Sequence, residues 1–191
     1  MRKTIIIGIA GGTASGKSTF SEELTKSLWE LNVLEIHMDS YFKALEERPY
    51  VMAPVTGKIC RDGSSPQTCN LPDLKRDLAT AAGSGQYQVI VVEGLLTLWD
   101  SEIYNQLDLR LFVDCLPDER IVRRLKRNTE RGQPFDDIAE VYLDLGRYRH
   151  DEYIEPTKWR ADFIVNGSRC FTKVLDVVTL YIRSLIGEKS V

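Results

Sequence analysis

The stretch that most limits what this chain can fold into is TIIIGIAGGTASGKST at 4–19, an apolar β-branched run that passes without a break into glycines, a lysine and paired hydroxyls. A run of Ile and Ala this continuous suits a strand buried on both faces, as in a parallel sheet covered by helices. From Lys17 onward, Phe20, Leu24, Leu28 and Leu31 recur at helical spacing. Strand, turn and helix therefore follow one another directly. In the turn, Gly11, Gly12, Thr13, Ala14, Ser15, Gly16, Lys17 and Ser18, with Thr19 behind them, fill the pattern GxxxxGK[ST]. Glycines let successive backbone N–H groups turn inward as a nest for phosphate oxygens. The helix that follows adds the positive end of its dipole. Lys17 is then placed to reach the β- and γ-phosphates, and the Ser18 hydroxyl to ligate Mg²⁺. The segment predicts a site for ATP or another nucleoside triphosphate together with Mg²⁺.

The rest of the chain repeats the strand–helix rhythm. Apolar runs return at VLEIHM (33–38), QVIVVEG (88–94), LRLFVDC (109–115) and ADFIVNG (161–167), with helical patterns between them. LPDERIVRRLKRNTERG opens with Pro117, Asp118 and Glu119 and stops at Gly132, which marks a helix start and end. FDDIAEVYLDLGRYRHDEYI reads as a further helix. Phe171, Val174, Leu175, Val178, Ile182 and Leu185 form an apolar stripe that predicts docking of the last helix. This alternation predicts an α/β P-loop NTPase fold with a central parallel sheet of about five strands flanked by helices. The strand ending at Ala10 is expected at its centre, because the triphosphate lies at its C-terminal end.

With 191 residues, 43% of them hydrophobic, the chain suits one domain over its whole length. The segment at about 48–70, rich in Pro, Gly, Ser and Thr, has no clear period and is expected to be a mobile insert. A net charge of −3 supplies no basic field for nucleic acid. Four cysteines without a CxxC pair, and two distant histidines, lack the close ligand pairs of a structural zinc site. No run is long enough to cross a bilayer, and the N-terminal apolar run is too short for a signal peptide, so a cytoplasmic protein with reduced thiols is expected.

Three groups beyond the loop carry chemistry. Asp39, in HMDSYFK, ends the second strand, where a carboxylate can accept a hydroxyl proton or hold the hydroxyl in line. Glu93 ends the third, in position for Mg²⁺ or its water shell. Arg120, Arg123, Arg124, Lys126, Arg127 and Arg131 put six cations within twelve residues. At about 123–134 they predict a helical lid that neutralises charge on transferring phosphates. Each has a plainer alternative: a helix N-cap for Asp39, a turn glutamate for Glu93, a solvated face for the arginines.

In order, GGTASGKST, DSYFK, VVEGLL, ERG and EPTKWRADFIV resemble the uridine kinase group of P-loop kinases, whose relatives include phosphoribulokinase, nicotinamide riboside kinase and pantothenate kinase. The resemblance implies an ATP- and Mg²⁺-dependent kinase acting on the hydroxyl of a small molecule, most directly the 5′-hydroxyl of a nucleoside such as uridine or cytidine. It makes Asp39 the general base, Lys17 the phosphate clamp, and Ser18 and Glu93 the metal ligands. Arg123 and Arg131 become lid arginines near substrate and triphosphate, with Arg127 on the nucleotide and Tyr41 beside the acceptor. NLPDL resembles the family segment that carries a ribose-binding aspartate, which falls on Asp73. No nucleic-acid or membrane partner is expected from the charge and the apolar runs, and because related enzymes often form oligomers a homo-oligomer stays open. Two departures stand out. Only LKRDLATAAGSGQYQVI lies where uridine kinases carry a base-reading hairpin with a histidine, and Gln133 stands in the lid where the family often has arginine. Another acceptor of the same kinase group, nicotinamide riboside or a non-nucleoside alcohol, is therefore the alternative. A regulatory NTPase without acceptor is a second, although the chain has neither NKxD nor LSGGQ.

Overall fold

The computed structural model describes residues 4–188, so the two ends of the single domain expected over 1–191 lie outside the described residues. β1 (Ile5–Gly11) is buried along its full length. It is followed by α1 (Lys17–Ser27), β2 (Val33–His37) and a 3-10 turn, Met38–Tyr41. A short hairpin, β3 (Tyr50–Met52) and β4 (Ile59–Arg61), precedes α2 (Leu71–Gly83) and β5 (Val89–Gly94). Then come α3 (Ser101–Tyr104), β6 (Leu109–Asp114) and α4 (Pro117–Glu130). A long helical segment combines α5 (Phe135–Val141), a π turn Tyr142–Gly146, α6 (Arg147–Arg149) and a second π turn His150–Ile154. β7 (Phe163–Asn166) and α7 (Thr172–Glu188) complete the described chain.

The main sheet has the order β2-β5-β1-β6-β7, and every neighbouring pair is parallel. β1 is central, as the sequence leads one to expect, with Ile7 opposite both Val91 and Leu109. Its side chains alternate between two cores. Ile5, Ile7 and Ile9 meet Phe20, Leu24 and Leu28 of α1 and Phe171, Val178 and Ile182 at the last helix. Ile6 and Ala10 face the other way, toward Leu74 and Leu78 of α2 and toward Ile103 and Ile154. Two buried faces are why the strand sequence is apolar at every position. The stripe predicted for the last helix is the one that docks. Among the described residues, no helix is long and apolar enough to cross a membrane.

The segment at 48–70 holds a structure that its composition did not reveal. β3 and β4 pair antiparallel, with Val51 opposite Cys60, and their turn is tied to the helical layer. Asp144 accepts hydrogen bonds from the backbone N–H groups of Val55 (3.2 Å) and Thr56 (3.0 Å) and from the Thr56 hydroxyl (2.5 Å). With three donors on it, foremost the Thr56 hydroxyl, the Asp144 carboxyl is held below its ordinary pKa. Arg61 of β4 and Arg48 just before β3 line the same cleft as Thr13 of the phosphate loop.

Candidate active site

The turn from β1 to α1 is built as an anion cradle. Gly16 sits at φ 98°, where a side chain would be strained, and α1 begins there without a side-chain cap on its free N–H groups. Ala14 also has a positive φ, 59°. At Gly12 a Cβ would lie 2.5 Å from Arg120 Nη1 and 2.9 Å from His150 Cε1, so any side chain here would push one or both of them aside. Ser15 Oγ is buried and has no hydrogen-bond partner among the described residues. Lys17 is 7% exposed, and its ammonium forms no ion pair among the described residues. A buried ammonium, an orphaned hydroxyl and an uncapped helix end fit a bound phosphate chain.

Beside the cradle, β5 and β2 deliver acids. Glu93 is 2% exposed; one carboxylate oxygen accepts from Ser18 Oγ at 3.3 Å and the other lies 3.0 Å from His37 Nδ1. Bonding to Glu93 raises the His37 pKa, with Glu35 adding to the effect. Ser18 and Glu93 thus stand together at the C-terminal edge of the sheet. Two oxygen donors of this kind suit Mg²⁺, which keeps most of its water. Asp39 follows β2 in the 3-10 turn and lines the neighbouring cleft.

α4 covers the cradle from above. Arg120, Arg124 and Arg127 fall on one stripe of the helix, since residues four and seven apart share a face. Arg120 is 3% exposed; its Nε donates to the Cys115 carbonyl at 3.0 Å, while Nη1, over Gly12, has no partner among the described residues. Arg124 donates to Thr13 Oγ1 at 3.0 Å. Burial, then the nearby Arg127, lowers the Arg124 pKa. Arg127 is lowered by burial and by Arg131, with Asp39 opposing. A desolvated group of cations with so little carboxylate nearby is arranged for an anion that arrives from outside. His150, from the second π turn, borders this group without adding a charge at neutral pH. Its pKa is lowered, first by burial and then by Arg120, while Nε2 contacts Glu155 at 3.1 Å.

Thr13, Asp39, Arg124, Arg127 and His150 line one cleft of about 530 Å³, whose far wall comes from the hairpin segment and α6. That wall supplies Arg48, Arg61, Asp62 and Arg149. The structure does not bring every expected residue to this cleft. Arg123, about 100° around the helix from Arg124, donates instead to the Gly167 carbonyl at 2.9 Å and pairs with Glu119 at 3.0 Å. Arg131 caps α4 at its exposed end, and Gln133 lines the cleft in the following loop. Thr19 is exposed on the first turn of α1. Asp73 lies in the first turn of α2, bonded to Asn70 and Arg76, and shares a separate depression with Tyr41, whose hydroxyl donates to Asp77 at 3.0 Å. Both therefore sit outside the cleft that holds Asp39. Arg48, Arg61, Asp62, Arg149 and His150 went unnoticed in the sequence. The one available signal was the helical spacing that carries Arg149 and His150 on the same segment as Leu145.

A glycine cradle at the end of a central parallel strand, an acid on the next strand and an arginine-bearing helix above define a P-loop phosphotransferase. The likeness to known proteins narrows the class. Residues 74–172 match the family model for the phosphoribulokinase / uridine kinase family. The chain is 32% identical over 207 residues to a uridine kinase of Staphylococcus aureus (strain JH9), covering 99% of this chain and 100% of the relative. This chain belongs to the phosphoribulokinase / uridine kinase family, and its class is that of a small-molecule kinase. Its fold resembles that of a protein described as a candidate fructose transport system kinase from Silicibacter sp. TM1040, with TM-score 0.69, 16% identity, and 86% of this chain and 90% of that one covered. It also resembles a protein described as a possible uridine kinase from Bacillus stearothermophilus, with TM-score 0.59, 17% identity, and coverage of 87% and 90%. At these identities the likeness is one of fold.

Proposed function

We propose that this protein transfers the γ-phosphoryl group of ATP, bound with Mg²⁺, to a hydroxyl group of a small molecule held in the cleft beside Asp39. The observation that carries the proposal is the presence of Asp39, Arg124, Arg127 and the loop residue Thr13 on the wall of one cleft. ATP with Mg²⁺ supplies the transferable phosphoryl group and the metal charge. Lys17 and the loop N–H groups bind the phosphates; Ser18 and Glu93 are the residues that would hold the metal. Asp39 accepts the acceptor's proton as the hydroxyl oxygen bonds to phosphorus and the β,γ-bridge breaks to release ADP. Arg124 and Arg127 balance the charge that spreads over the phosphoryl oxygens, and the cover of α4 keeps water from competing.

The acceptor has two readings. The S. aureus relative is named a uridine kinase, which supports a nucleoside 5′-hydroxyl. A non-nucleoside acceptor has support from the cleft itself. Among the described residues Phe42 is the one phenyl ring on its wall, and Arg48 already lies over that ring, 5.5 Å from its centroid. Little flat surface is left for a base to stack on. The test is a coupled assay of ADP release over nucleosides, sugars and their derivatives. Turnover that depends on an acceptor and vanishes in Lys17→Ala, with the melting temperature kept, supports kinase activity. Slow hydrolysis that no acceptor accelerates would overturn it.

A further inference from the structure

The cleft carries more positive charge than transfer to a neutral alcohol calls for. Five arginines line it, Arg48, Arg61, Arg124, Arg127 and Arg149, against two carboxylates, Asp39 and Asp62. Arg124 donates to Thr13 of the phosphate loop and Arg127 lines the same cleft wall, and a triphosphate accounts for them. Arg149 is balanced in place, with Asp62 at 2.9 Å and Glu152 at 2.6 Å. Asp62, 1% exposed, is further engaged by the N–H groups of Ser64 and Ser65. That leaves Arg48 and Arg61 on the wall away from the loop. Neither forms an ion pair among the described residues.

These two side chains are nonetheless held firmly. Arg48 Nε donates to the Lys43 carbonyl at 2.9 Å, and its guanidinium covers Phe42. Arg61 Nη1 donates to the Arg48 carbonyl at 2.6 Å, and its guanidinium stacks 3.7 Å from the centroid of Tyr50. Carbonyls and aromatic faces fix the direction of a guanidinium without neutralising it, and each keeps N–H groups for a further acceptor. Two half-buried cations on one cleft wall, fixed in orientation and without an ion-pair partner among the described residues, are placed to receive an anion.

We infer that the acceptor carries an anionic group, a phosphate monoester or a carboxylate, which Arg48 and Arg61 grip while its hydroxyl is presented to Asp39. A guanidinium fork matches either anion through paired hydrogen bonds, whereas a neutral nucleoside leaves both charges unmet. The inference deepens the kinase reading above and rests on it. It also gives the hairpin a part in binding, since β4 carries one arm of the grip and the segment leading to β3 carries the other.

The experiment pairs each anionic acceptor with its neutral parent in the ADP-release assay: pentose and hexose phosphates with the free sugars, and hydroxy acids with the matching diols. Phosphate esters and carboxylates form separate arms, so the arm that turns over identifies the anion. The expected result is a kcat/KM about 100-fold or more higher for an anionic member than for its parent. Arg48→Gln with Arg61→Gln should raise the KM for that acceptor about tenfold or more and affect the KM for ATP far less. Arg48→Lys with Arg61→Lys, which keeps the charge, should retain the preference; it also guards against misfolding in the Gln pair. Equal use of the neutral parents, or an acceptor KM unchanged in the Gln pair, overturns the inference and leaves kinase activity standing. If no acceptor turns over, the kinase reading fails by itself, and a binding measurement decides the anion grip. With a non-hydrolysable ATP analogue and Mg²⁺ at saturation, inorganic phosphate should raise the melting temperature of the wild type and not that of the Gln pair. No rise, or the same rise in both, overturns it.

Discussion

At the scale of single residues, Asp39 and His150 make the sharpest contrast. Asp39 needs only a position at the end of β2 and a free face toward the cleft. Asp39→Asn keeps shape and most hydrogen bonding but cannot take a proton, so turnover should fall about 10²–10⁴-fold while nucleotide affinity, read by isothermal titration, stays. An unchanged rate would remove Asp39 from the role of base. His150 works through its burial. Its pKa is lowered by burial and by Arg120, with Glu155 and Asp151 pulling the other way. The folded state therefore binds the proton less readily than the unfolded chain does. The resulting stability is fully present above the unfolded value of about 6.5 and is lost as pH falls through the lower folded value. Urea denaturation at pH 7 and pH 5 should show a drop for the wild type that is smaller in His150→Gln. An equal drop in both would place the acid sensitivity elsewhere.

At the scale of elements, the hairpin and α4 form the two walls of the cleft, and each depends on a different kind of anchor. α4 follows β6 directly from its Pro117 start and ends at Glu130, capped by Arg131, with Gly132 just beyond at φ 85°. The hairpin is short, and its turn is bonded to Asp144. Asp144→Asn removes the charge from that anchor and leaves the core untouched. Limited proteolysis at 53–58 should quicken about tenfold, with little change in global melting. If Arg48 and Arg61 need the hairpin in place, the same variant should also raise the KM of the acceptor. Proteolysis at the wild-type rate would mean that strand pairing alone holds the turn.

At the scale of the whole molecule, β1 joins both cores and also ends in the phosphate loop. Ile7, with no exposed surface, touches the layer formed by α1 and α7. Ile7→Ala should cost about 2–5 kcal/mol, the range for removing a large buried aliphatic side chain, as read from urea unfolding. Because the same strand positions Gly11 and Gly12, nucleotide affinity should weaken with it. A loss below about 1 kcal/mol would mean that the core collapses to fill the space.

What the amino-acid order determined unaided is what short-range patterns encode. GxxxxGK[ST] between an Ile-rich run and a helix stripe marks the loop, and five apolar runs alternating with helices mark the parallel sheet. Pro117 and Gly132 mark the ends of the arginine helix. Each of these signals lies within one element, so spacing alone reveals it. Only the tertiary structure decided which arginines face the cleft. Arg123 and Arg124 are neighbours in sequence and chemically identical, yet the helix turns one to the Gly167 carbonyl and the other to Thr13. The same holds for Asp73 and Tyr41, which the family resemblance assigns to the acceptor and which line a depression separate from that of Asp39. The hairpin escaped notice because its strands are three residues long and its anchor, Asp144, is more than eighty residues away. Contacts across such separations come from packing the finished layers, and no window of sequence contains both partners.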